Sequence, residues 1–412
     1  MKKRLIGIVL VAVMLLGLFC GCAKDDGTVT LTFLRLGNDE AEKNFWLEVI
    51  ESYEAANPGI KIEYDDAAIG NAMDTKLTSL FSSNSGPDII GHGILSIASR
   101  VEAGHYLPLD EYMQTWEQAD DMIDMLQDFA TYEGHTYGVA YMPTSYVFAY
   151  RTDLFAQAGI DAPPTTWEEL LDYAERLTVV ENGHTVQAGF AFPTAGGNLV
   201  EYDILSFCNG GRFADENGNP TINTPENLEA LEFMSRLNEY SIPYNSNETN
   251  PFMTGNAAMT FIDNVKLSPM FSDPEYADKI ALAMPPANGD NPAMTFSGCR
   301  LLFVGKDCKN VKEAFDFITY AVSEAIVMKR AQDTDAQAVL KSVSDEYATL
   351  KPFNDIRIKY VENGIGMPVT TWSTMFQTVR NEMVQAVQNG ADPATALAQA
   401  QTKLEQEIAN AK

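Results

Sequence analysis

The chain has 412 residues, of which 28 are Lys or Arg and 57 are Asp or Glu, so its formal charge is −29. An acidic surface of this kind repels phosphate backbones and anionic headgroups, which excludes nucleic acid and a charged lipid surface as partners. The length exceeds the size at which a single hydrophobic core stops growing, and this predicts two domains.

The first 21 residues have the features of a secretory signal. Basic residues at positions 2–4 precede an uncharged run at positions 5–19, which is shorter than the roughly 20 residues of a membrane-spanning helix. The following stretch LFCGCAKDDG resembles the lipobox of a bacterial lipoprotein signal, with Phe19 and Cys20 departing from its usual aliphatic and small residues. We therefore expect lipidation at Cys22, a tether over residues 22–28 and a mature chain outside the cytoplasm; an ordinary cleaved signal is the alternative.

The first part of the mature chain alternates predicted strands and helices. VTLTFLRL at residues 29–36 predicts a buried strand, and a helix follows it. IKIEYDD and PDIIGHG predict two more strands around a second helix. This alternation predicts a parallel sheet, which binds ligands beyond the carboxyl ends of its strands. We therefore expect site residues in GNDE and GHG, after the first and third strands. The first helix should bury one face made of Phe45, Trp46, Val49, Ile50 and Tyr53.

The run YGVAYMPTSYVFAYRTDLFAQAGI, at residues 137–160, is strongly apolar but contains many hydroxyl groups. Thr144, Ser145 and Tyr146 are typical of a surface that forms hydrogen bonds, whereas the valines and phenylalanines favour a core. We therefore expect part of this run to pack in a core and part of it to line something that forms hydrogen bonds.

Later segments predict capped helices and one hairpin. FADENGNPTI indicates an Asn-Gly turn rather than a calcium loop, because the glycine and distal glutamate of an EF-hand are missing. The predicted helix starts are Thr166 with Glu169 as a capping box, Thr224 with Pro225, and Asp392 with Pro393.

Signals of catalysis and metal binding are weak. The sequence has no nucleophile elbow, metalloprotease motif, phosphate loop or dinucleotide fingerprint. Beyond the signal, Cys208, Cys299 and Cys308 are odd in number and irregularly spaced, which indicates neither a disulfide framework nor a zinc site and leaves one pairing open. We expect no enzyme, no metal and no cofactor. A glycosidase-like carboxylate pair stays open, because its spacing is spatial.

Six passages, in order, resemble the extracellular solute-binding proteins of ABC importers, in the family of maltose- and other sugar-binding proteins. The passages are LTFLRLGNDE…YEAANPGIKIEY, SGPDII…GHYLPLDEY, the run at 132–177, FMTGNAAMTFIDN, LLFVGKDCKNVKEAFDFITY, and a C-terminal tryptophan before two helices. The resemblance implies an α/β, periplasmic-binding-protein-like fold with two lobes joined by a multi-crossing hinge around a ligand cleft. The implied N-terminal lobe is 29–140 with 265–325, and the C-terminal lobe is 141–264 with 326–412.

The same resemblance implies the ligand contacts. A pyranose needs an aromatic plate for its apolar face and polar side chains for its hydroxyl rim. Trp372 matches the family's stacking tryptophan, His92 a cleft aromatic, and Thr144 a polar contact within the hinge run. The full set of implied contacts is Asn38, Asp39, His92, Thr144, Asn198, Tyr202, Asp203, Asp263, Asn264, Gly298, Arg300 and Trp372.

The implied function is capture of a carbohydrate, an oligosaccharide in particular, by hinge closure. The protein would be monomeric, anchored through Cys22 to the outer face of the cell membrane, and would deliver its ligand unaltered to the permease subunits of an ABC importer. Three alternatives stay open. One is a transport-binding protein for a uronate, a glycerophosphate or a polyamine. Arg35 and Arg300 favour the two anionic solutes among these. The others are a surface glycosidase and a structural or sensory lipoprotein.

Overall fold

The computed structural model describes residues 27–37, 39–67, 71–196 and 199–411. Three positions singled out above, Cys22, Asn38 and Asn198, lie outside these ranges. Within them, no helix has the length and apolarity needed to cross a membrane.

Strands and helices alternate through most of the described chain. The strands are β1 (Val29–Leu36), β2 (Ile60–Ala67), β3 (Ile89–Gly93), β4 (Thr131–Tyr132), β5 (His135–Thr136), β6 (Gly138–Arg151), β7 (Val179–Glu181), β8 (His184–Ala191), β9 (Pro193–Ala195), β10 (Tyr244–Asn245), β11 (Ala257–Asp263), β12 (Ile280–Ala283), β13 (Thr295–Val304) and β14 (Gly364–Ile365). The helices of the first half are α1 (Glu40–Ala56), α2 (Asn71–Ser82), α3 (Ile97–Glu102), α4 (Asp110–Met113), α5 (Asp124–Phe129), α6 (Thr152–Gln157), α7 (Trp167–Leu177) and α8 (Glu201–Phe207). Those of the second half are α9 (Pro225–Asn238), α10 (Asn264–Leu267), α11 (Val311–Ala321), α12 (Glu324–Thr334), α13 (Ser344–Leu350), α14 (Asn354–Glu362), α15 (Ser373–Gln388) and α16 (Pro393–Ala411).

One mixed sheet connects the two halves of the molecule. Its order is β2-β1-β3-β13-β6-β11-β8-β7, with β12 also pairing with β6 and β14 with β13. Strands β1, β2 and β3 are parallel, as the sequence predicts, and β13 runs antiparallel to β3. At the other end, β8 and β11 are parallel to each other.

Strand β6 belongs to both halves of this sheet. Its residues 138–145 pair with β13, and its residues 146–151 pair with β11 and β12. Where the partners change, the hydroxyls of Ser145 and Ser297 lie 3.0 Å apart, and both residues are fully buried. The two strands therefore form a paired, internally hydrogen-bonded crossing, which we call the hinge strands.

A first hydrophobic cluster surrounds the parallel strands β1 to β3 and defines the first lobe. The buried face of α1 contributes the five residues that the periodicity predicts. Strand β13 is buried on both faces from Leu301 to Val304, as expected for a strand at the centre of a covered sheet. Helices α11, α12 and α13 also pack here, through residues such as Phe317, Val327 and Tyr347.

Two further clusters cover opposite faces of the sheet in the second lobe. Phe148 lies in one of them, and its neighbours Val147 and Ala149 lie in the other, because side chains alternate along a strand. This packing departs from the implied lobe boundaries at two segments. Leu267 and Ile280, expected in the first lobe, pack in the second, because β12 pairs with β6. Residues 326–347, expected in the second lobe, pack mainly in the first.

The structure confirms the helix starts. Thr166 accepts a hydrogen bond from the Glu169 amide at 3.2 Å, and Thr224 caps a helix with Pro225 in its first turn. In a capping box the Glu169 carboxylate would accept from the Thr166 amide. Here it accepts from the amide of the preceding residue, Thr165, at 2.7 Å. Ala214 and Pro220 pair across the FADENGNPTI turn, as the hairpin prediction requires.

Candidate functional site

The hinge strands bring three of the singled-out residues together. Thr144 pairs with Gly298, and a Cβ at position 298 would lie 3.1 Å from the Thr144 hydroxyl. Arg300, two residues further along β13, donates a hydrogen bond from Nη1 to the Leu36 carbonyl at 3.3 Å. Arg300 therefore lies at the carboxyl end of β1, where a parallel sheet is expected to bind its ligand.

The electrostatic influence of Arg300 reaches both lobes. Its positive charge acts on the pKa of His92 and Tyr141 in the first lobe and on that of Asp263 in the second. Arg300 also pairs with Gly93 of β3 and with Met142 of β6, so it lies between the first lobe and the hinge strands. We take the hinge strands as the floor of a candidate cleft.

The second lobe contributes a cavity at the carboxyl end of β11. Asp263 pairs with Tyr146 of β6, and both side chains line a cavity of about 320 Å³. Burial raises the pKa of Asp263, and it raises the pKa of Tyr146 well above its ordinary value. Glu201, Tyr244 and Lys266 line the same cavity.

Two acids at the start of α8 are buried in different environments. Asp203 forms a salt bridge with Arg380 of α15, and both side chains are fully buried. Burial raises the pKa of Asp203 to about 6 although Arg380 opposes the shift, so desolvation outweighs the attraction. Glu201 forms no salt bridge among the described residues, and burial raises the pKa of its carboxyl to about 8. Glu201 is therefore mostly protonated at neutral pH.

His92 is the penultimate residue of β3, on the first-lobe side. It is 7% exposed, its Nδ1 accepts a hydrogen bond from the Gly93 amide at 2.8 Å, and its Nε2 has no hydrogen-bond partner among the described residues. Burial lowers its pKa to about 4, so His92 is neutral at physiological pH. Because Nδ1 accepts, the proton of the neutral imidazole is on Nε2, which can donate a hydrogen bond to a ligand hydroxyl.

Trp372 lines a groove that does not include Thr144. It is 5% exposed, its indole N–H donates to the Gly218 carbonyl at 3.0 Å, and its ring meets Phe376 edge-on. It lines a groove of about 720 Å³ together with Tyr132 and Glu133 of the first lobe. The groove therefore runs between the lobes, with only an edge of the indole accessible.

Three of the singled-out polar residues have structural partners. Asp39 is exposed and caps α1 through a hydrogen bond from the Glu42 amide at 2.9 Å. Tyr202 is a core residue whose hydroxyl donates to the Asn227 carbonyl at 3.0 Å. Arg35 is fully buried against Tyr64 and Asp66. Asn264, the first residue of α10, is 2% exposed, and its Oδ1 accepts no hydrogen bond from the described residues. We carry neither Tyr202 nor Arg35 forward as a ligand contact.

Sequence reasoning missed Glu201, Tyr244 and Lys266, which surround the second-lobe cavity. Glu201 immediately precedes Tyr202 and Asp203, which were singled out. The sequence therefore identified this segment, but not which of its side chains faces the cavity. The loop that carries Tyr244 has no motif, and only its pairing with β9 brings it to the cavity.

The described residues contain no group of three His, Cys, Asp or Glu side chains arranged to hold a metal ion. Cys208, Cys299 and Cys308 are buried free thiols. Burial raises the pKa of each to about 12, so these thiols stay protonated and unreactive.

Two curated relatives resemble the chain over part of their length. A probable ABC transporter-binding protein of Deinococcus radiodurans is 28% identical over 282 residues, which cover 65% of this chain and 66% of that protein. The mannitol-binding protein of Pseudomonas aeruginosa is 26% identical over 223 residues, covering 53% of this chain and 50% of that protein. The chain thus spans between half and about two thirds of these relatives.

Solved structures match nearly the whole chain. The cyclic α-maltosyl-1,6-maltose binding protein from Arthrobacter globiformis superposes with a TM-score of 0.82 at 20% identity, covering 93% of this chain and 100% of that one. An ABC substrate-binding protein from Listeria monocytogenes in complex with cycloalternan gives 0.75 at 21% identity, covering 93% and 99%. A solute-binding protein from Agrobacterium radiobacter in complex with ribitol gives 0.73 at 25% identity, covering 92% and 98%.

These matches confirm the predicted two-lobed, periplasmic-binding-protein-like fold. A family model described as bacterial extracellular solute-binding protein matches residues 37–328, more than half of the chain. The chain therefore belongs to the family of bacterial extracellular solute-binding proteins, as the resemblance implied, and this family consists of binding proteins rather than enzymes.

Proposed function

We propose that this protein captures a carbohydrate, an oligosaccharide in particular, between its two lobes and delivers it to an ABC importer. One observation supports the proposal: polar side chains of both lobes lie on the hinge strands or on strands paired with them. Thr144 and Arg300 lie on these strands, His92 on the first-lobe side and Asp263 on the second-lobe side. The carbohydrates named with the similar structures, among them cycloalternan and ribitol, support the ligand class.

Closure about the hinge strands provides the mechanism. When each lobe supplies part of the contacts, ligand binds the closed arrangement better than the open one and shifts the population by its differential affinity. A micromolar dissociation constant, about −8 kcal/mol, is ample for such a shift. The permease subunits would then distinguish the closed from the open protein by its shape, and the ligand would be released unaltered.

We propose that the mature protein is a monomer anchored by lipid at Cys22 to the outer face of the cell membrane. The basic and apolar signal followed by a lipobox-like stretch supports this localisation. Metabolic labelling with an alkyne fatty acid tests it: the wild type should be labelled, and Cys22→Ser should abolish the label. Labelling that persists in the variant would contradict the anchor at this cysteine.

Ligand screening tests the transport role. We expect neutral oligosaccharides to raise the melting temperature, because a ligand at 100 times its dissociation constant stabilises by about 2.7 kcal/mol. Uronates, glycerol phosphate and polyamines form the comparison set. Arg300→Met should remove the shift, and Lys312→Met, an exposed control in the first turn of α11, should retain it. Turnover of a chromogenic glycoside, or no stabilisation by any solute, would contradict the proposal.

A further inference from the structure

The second-lobe cavity has acidic and aromatic walls. Its volume is about 320 Å³, and its lining includes the buried carboxyl of Glu201 and the partly buried carboxyl of Asp263. The rings of Tyr146, Tyr244 and Phe261 complete much of the wall. Aromatic faces attract cations through their quadrupoles, and carboxylates attract them through charge, so both kinds of wall favour the same ligand group.

Glu201 lacks a counter-charge. It is 4% exposed, and its Oε2 accepts no hydrogen bond from the described residues. The nearest basic groups are engaged elsewhere: Lys266 is exposed and donates to the Ser246 carbonyl at 3.1 Å, and Arg380 is bonded to Asp203. A buried carboxyl without a partner is costly unless something else pairs with it.

The other polar residues of the cavity do not provide a counter-charge for Glu201. Asn250 donates one amide hydrogen to the Tyr244 hydroxyl at 3.0 Å and the other to the Thr260 hydroxyl at 2.9 Å, so its donors are occupied. Asp263 accepts from the Val265 amide at 2.8 Å and is itself an acid. The lining thus has more acidic than basic groups, with Glu201 at its buried end.

We propose that this cavity is a subsite for a positively charged amino group on the ligand, such as the protonated amine of an amino sugar, with Glu201 as its counter-charge. The inference rests on the proposed function, because it specifies the chemistry of one part of a captured carbohydrate. A uronate or phosphate group would lie beside Glu201 and Asp263, neither of which can pair with the charge of an anion. A hydroxyl fits in size but leaves Glu201 protonated, so it gains no ion pair there.

Amine binding releases a proton in this arrangement. The carboxyl of Glu201, whose pKa is about 8 without ligand, ionises when a cation lies beside it. The groups that act on it from the surrounding elements are Asp203 on its own helix, Arg380 on α15 and Lys266 on α10; Tyr146 and Tyr244 respond to its charge from β6 and β10. At pH 5.5, where the amine of the ligand is already protonated in solution, the release should approach about one proton per ligand, since the Glu201 carboxyl is then almost fully protonated.

Isothermal titration calorimetry of the mature protein at pH 5.5, where the sugar amines are protonated, tests this inference. The probes are glucosamine oligosaccharides, their N-acetylated forms and the matching glucose oligosaccharides, each measured in acetate and in MES, which differ in ionisation enthalpy. We expect the free amine to bind at least tenfold more tightly than the N-acetylated form, and its heat alone to differ between buffers by the released proton. Glu201→Gln should bring the affinity ratio close to one, whereas Glu232→Gln, an exposed control on α9, should preserve it.

The outcomes separate the two proposals. Equal affinity for amine and N-acetyl ligands, or a preference that survives Glu201→Gln, overturns the amine subsite and leaves carbohydrate capture intact. Binding of none of the carbohydrates overturns both. The buffer dependence of the heat is measured on the wild type, so a variant that fails to fold does not block the test: a buffer-independent heat for a bound amine ligand also overturns the subsite.

Discussion

The buried ion pair of Arg330 with Glu42 should contribute far more to stability than any exposed pair in the molecule. Arg330 is 2% exposed, and its Nη1 lies 2.7 Å from Glu42 Oε2. The guanidinium carbon lies 4.2 Å from the ring centroid of Phe45 and 4.9 Å from that of Tyr141. The other cation near Glu42 is Arg35, whose Nη1 is 3.8 Å away, too far for a hydrogen bond.

The variant Arg330→Met fills a similar volume, but it leaves the buried Glu42 carboxylate without its hydrogen-bonded cation. Only Arg35, 3.8 Å away, then remains near it. Removing one partner of a buried pair costs about 3–5 kcal/mol, so we expect the free energy of unfolding to fall by that amount. Urea denaturation at pH 7 measures it. The double variant Arg330→Met with Glu42→Gln should recover about 2 kcal/mol, because no uncompensated charge is then left buried.

The matched control is Lys312→Met, which removes one partner of the Lys312–Asp316 pair, where the side chains are 73% and 47% exposed. Exposed pairs contribute below about 1 kcal/mol. A loss for Arg330→Met no greater than that of the control, or a double variant less stable than the single one, would refute the reasoning.

Three further predictions concern pH and packing. The pKa of Glu201 is raised from 4.5 to about 8, so its stabilising contribution is complete below the unfolded-state pKa and is lost as pH rises through 8. The wild type should therefore lose stability between pH 5 and 9, and Glu201→Gln should reduce that loss by up to about 5 kcal/mol, at 1.4 kcal/mol per pKa unit. Urea denaturation at each pH measures it, and parallel curves of unfolding free energy against pH for the wild type and the variant would contradict this. His92, whose pKa is lowered to about 4, should show no change in its imidazole NMR shifts above pH 5, and its contribution to stability should be lost as pH falls below about 6.5. Gly189→Ala places a Cβ 1.9 Å from the Ala174 carbonyl oxygen and should lower thermal stability by more than about 3 kcal/mol, whereas Gly59→Ala, with open space around it, should change stability by less than about 0.5 kcal/mol.

Local structure follows closely from the sequence. The strand predicted at residues 29–36 has those bounds, and the five apolar residues predicted for the face of α1 are all buried. These features depend on periodicity and capping, which act over a few residues. The parallel order of β1 to β3 follows as well, because short crossovers leave few alternatives.

The candidate site is less accessible to sequence reasoning, because long-range pairing decides which side chains face it. Asp203 is polar and is one of the predicted contacts. Arg380, 177 positions away in the chain, forms an ion pair with it inside the second lobe. Its neighbour Glu201 lines the cavity instead. The helix that carries both acids has seven residues, and all of them are buried. A hydrophobic periodicity therefore cannot show which acid faces the cavity and which faces the core.

The lobe boundaries illustrate the same limit. A chain that crosses between lobes several times without a linker gives no compositional signal at each crossing. Strand β12 belongs to the second lobe because it pairs with β6, and α12 and α13 return to the first through apolar residues that would fit either core.

Because β6 supplies a central strand to each lobe through one continuous stretch of backbone, neither half of the molecule should be an autonomous folding unit. Cleavage between Thr144 and Ser145 would divide that strand, and each fragment would keep only the part that pairs in its own lobe. Unfolding should accordingly be a single cooperative event, and the two fragments should regain structure only through complementation when mixed.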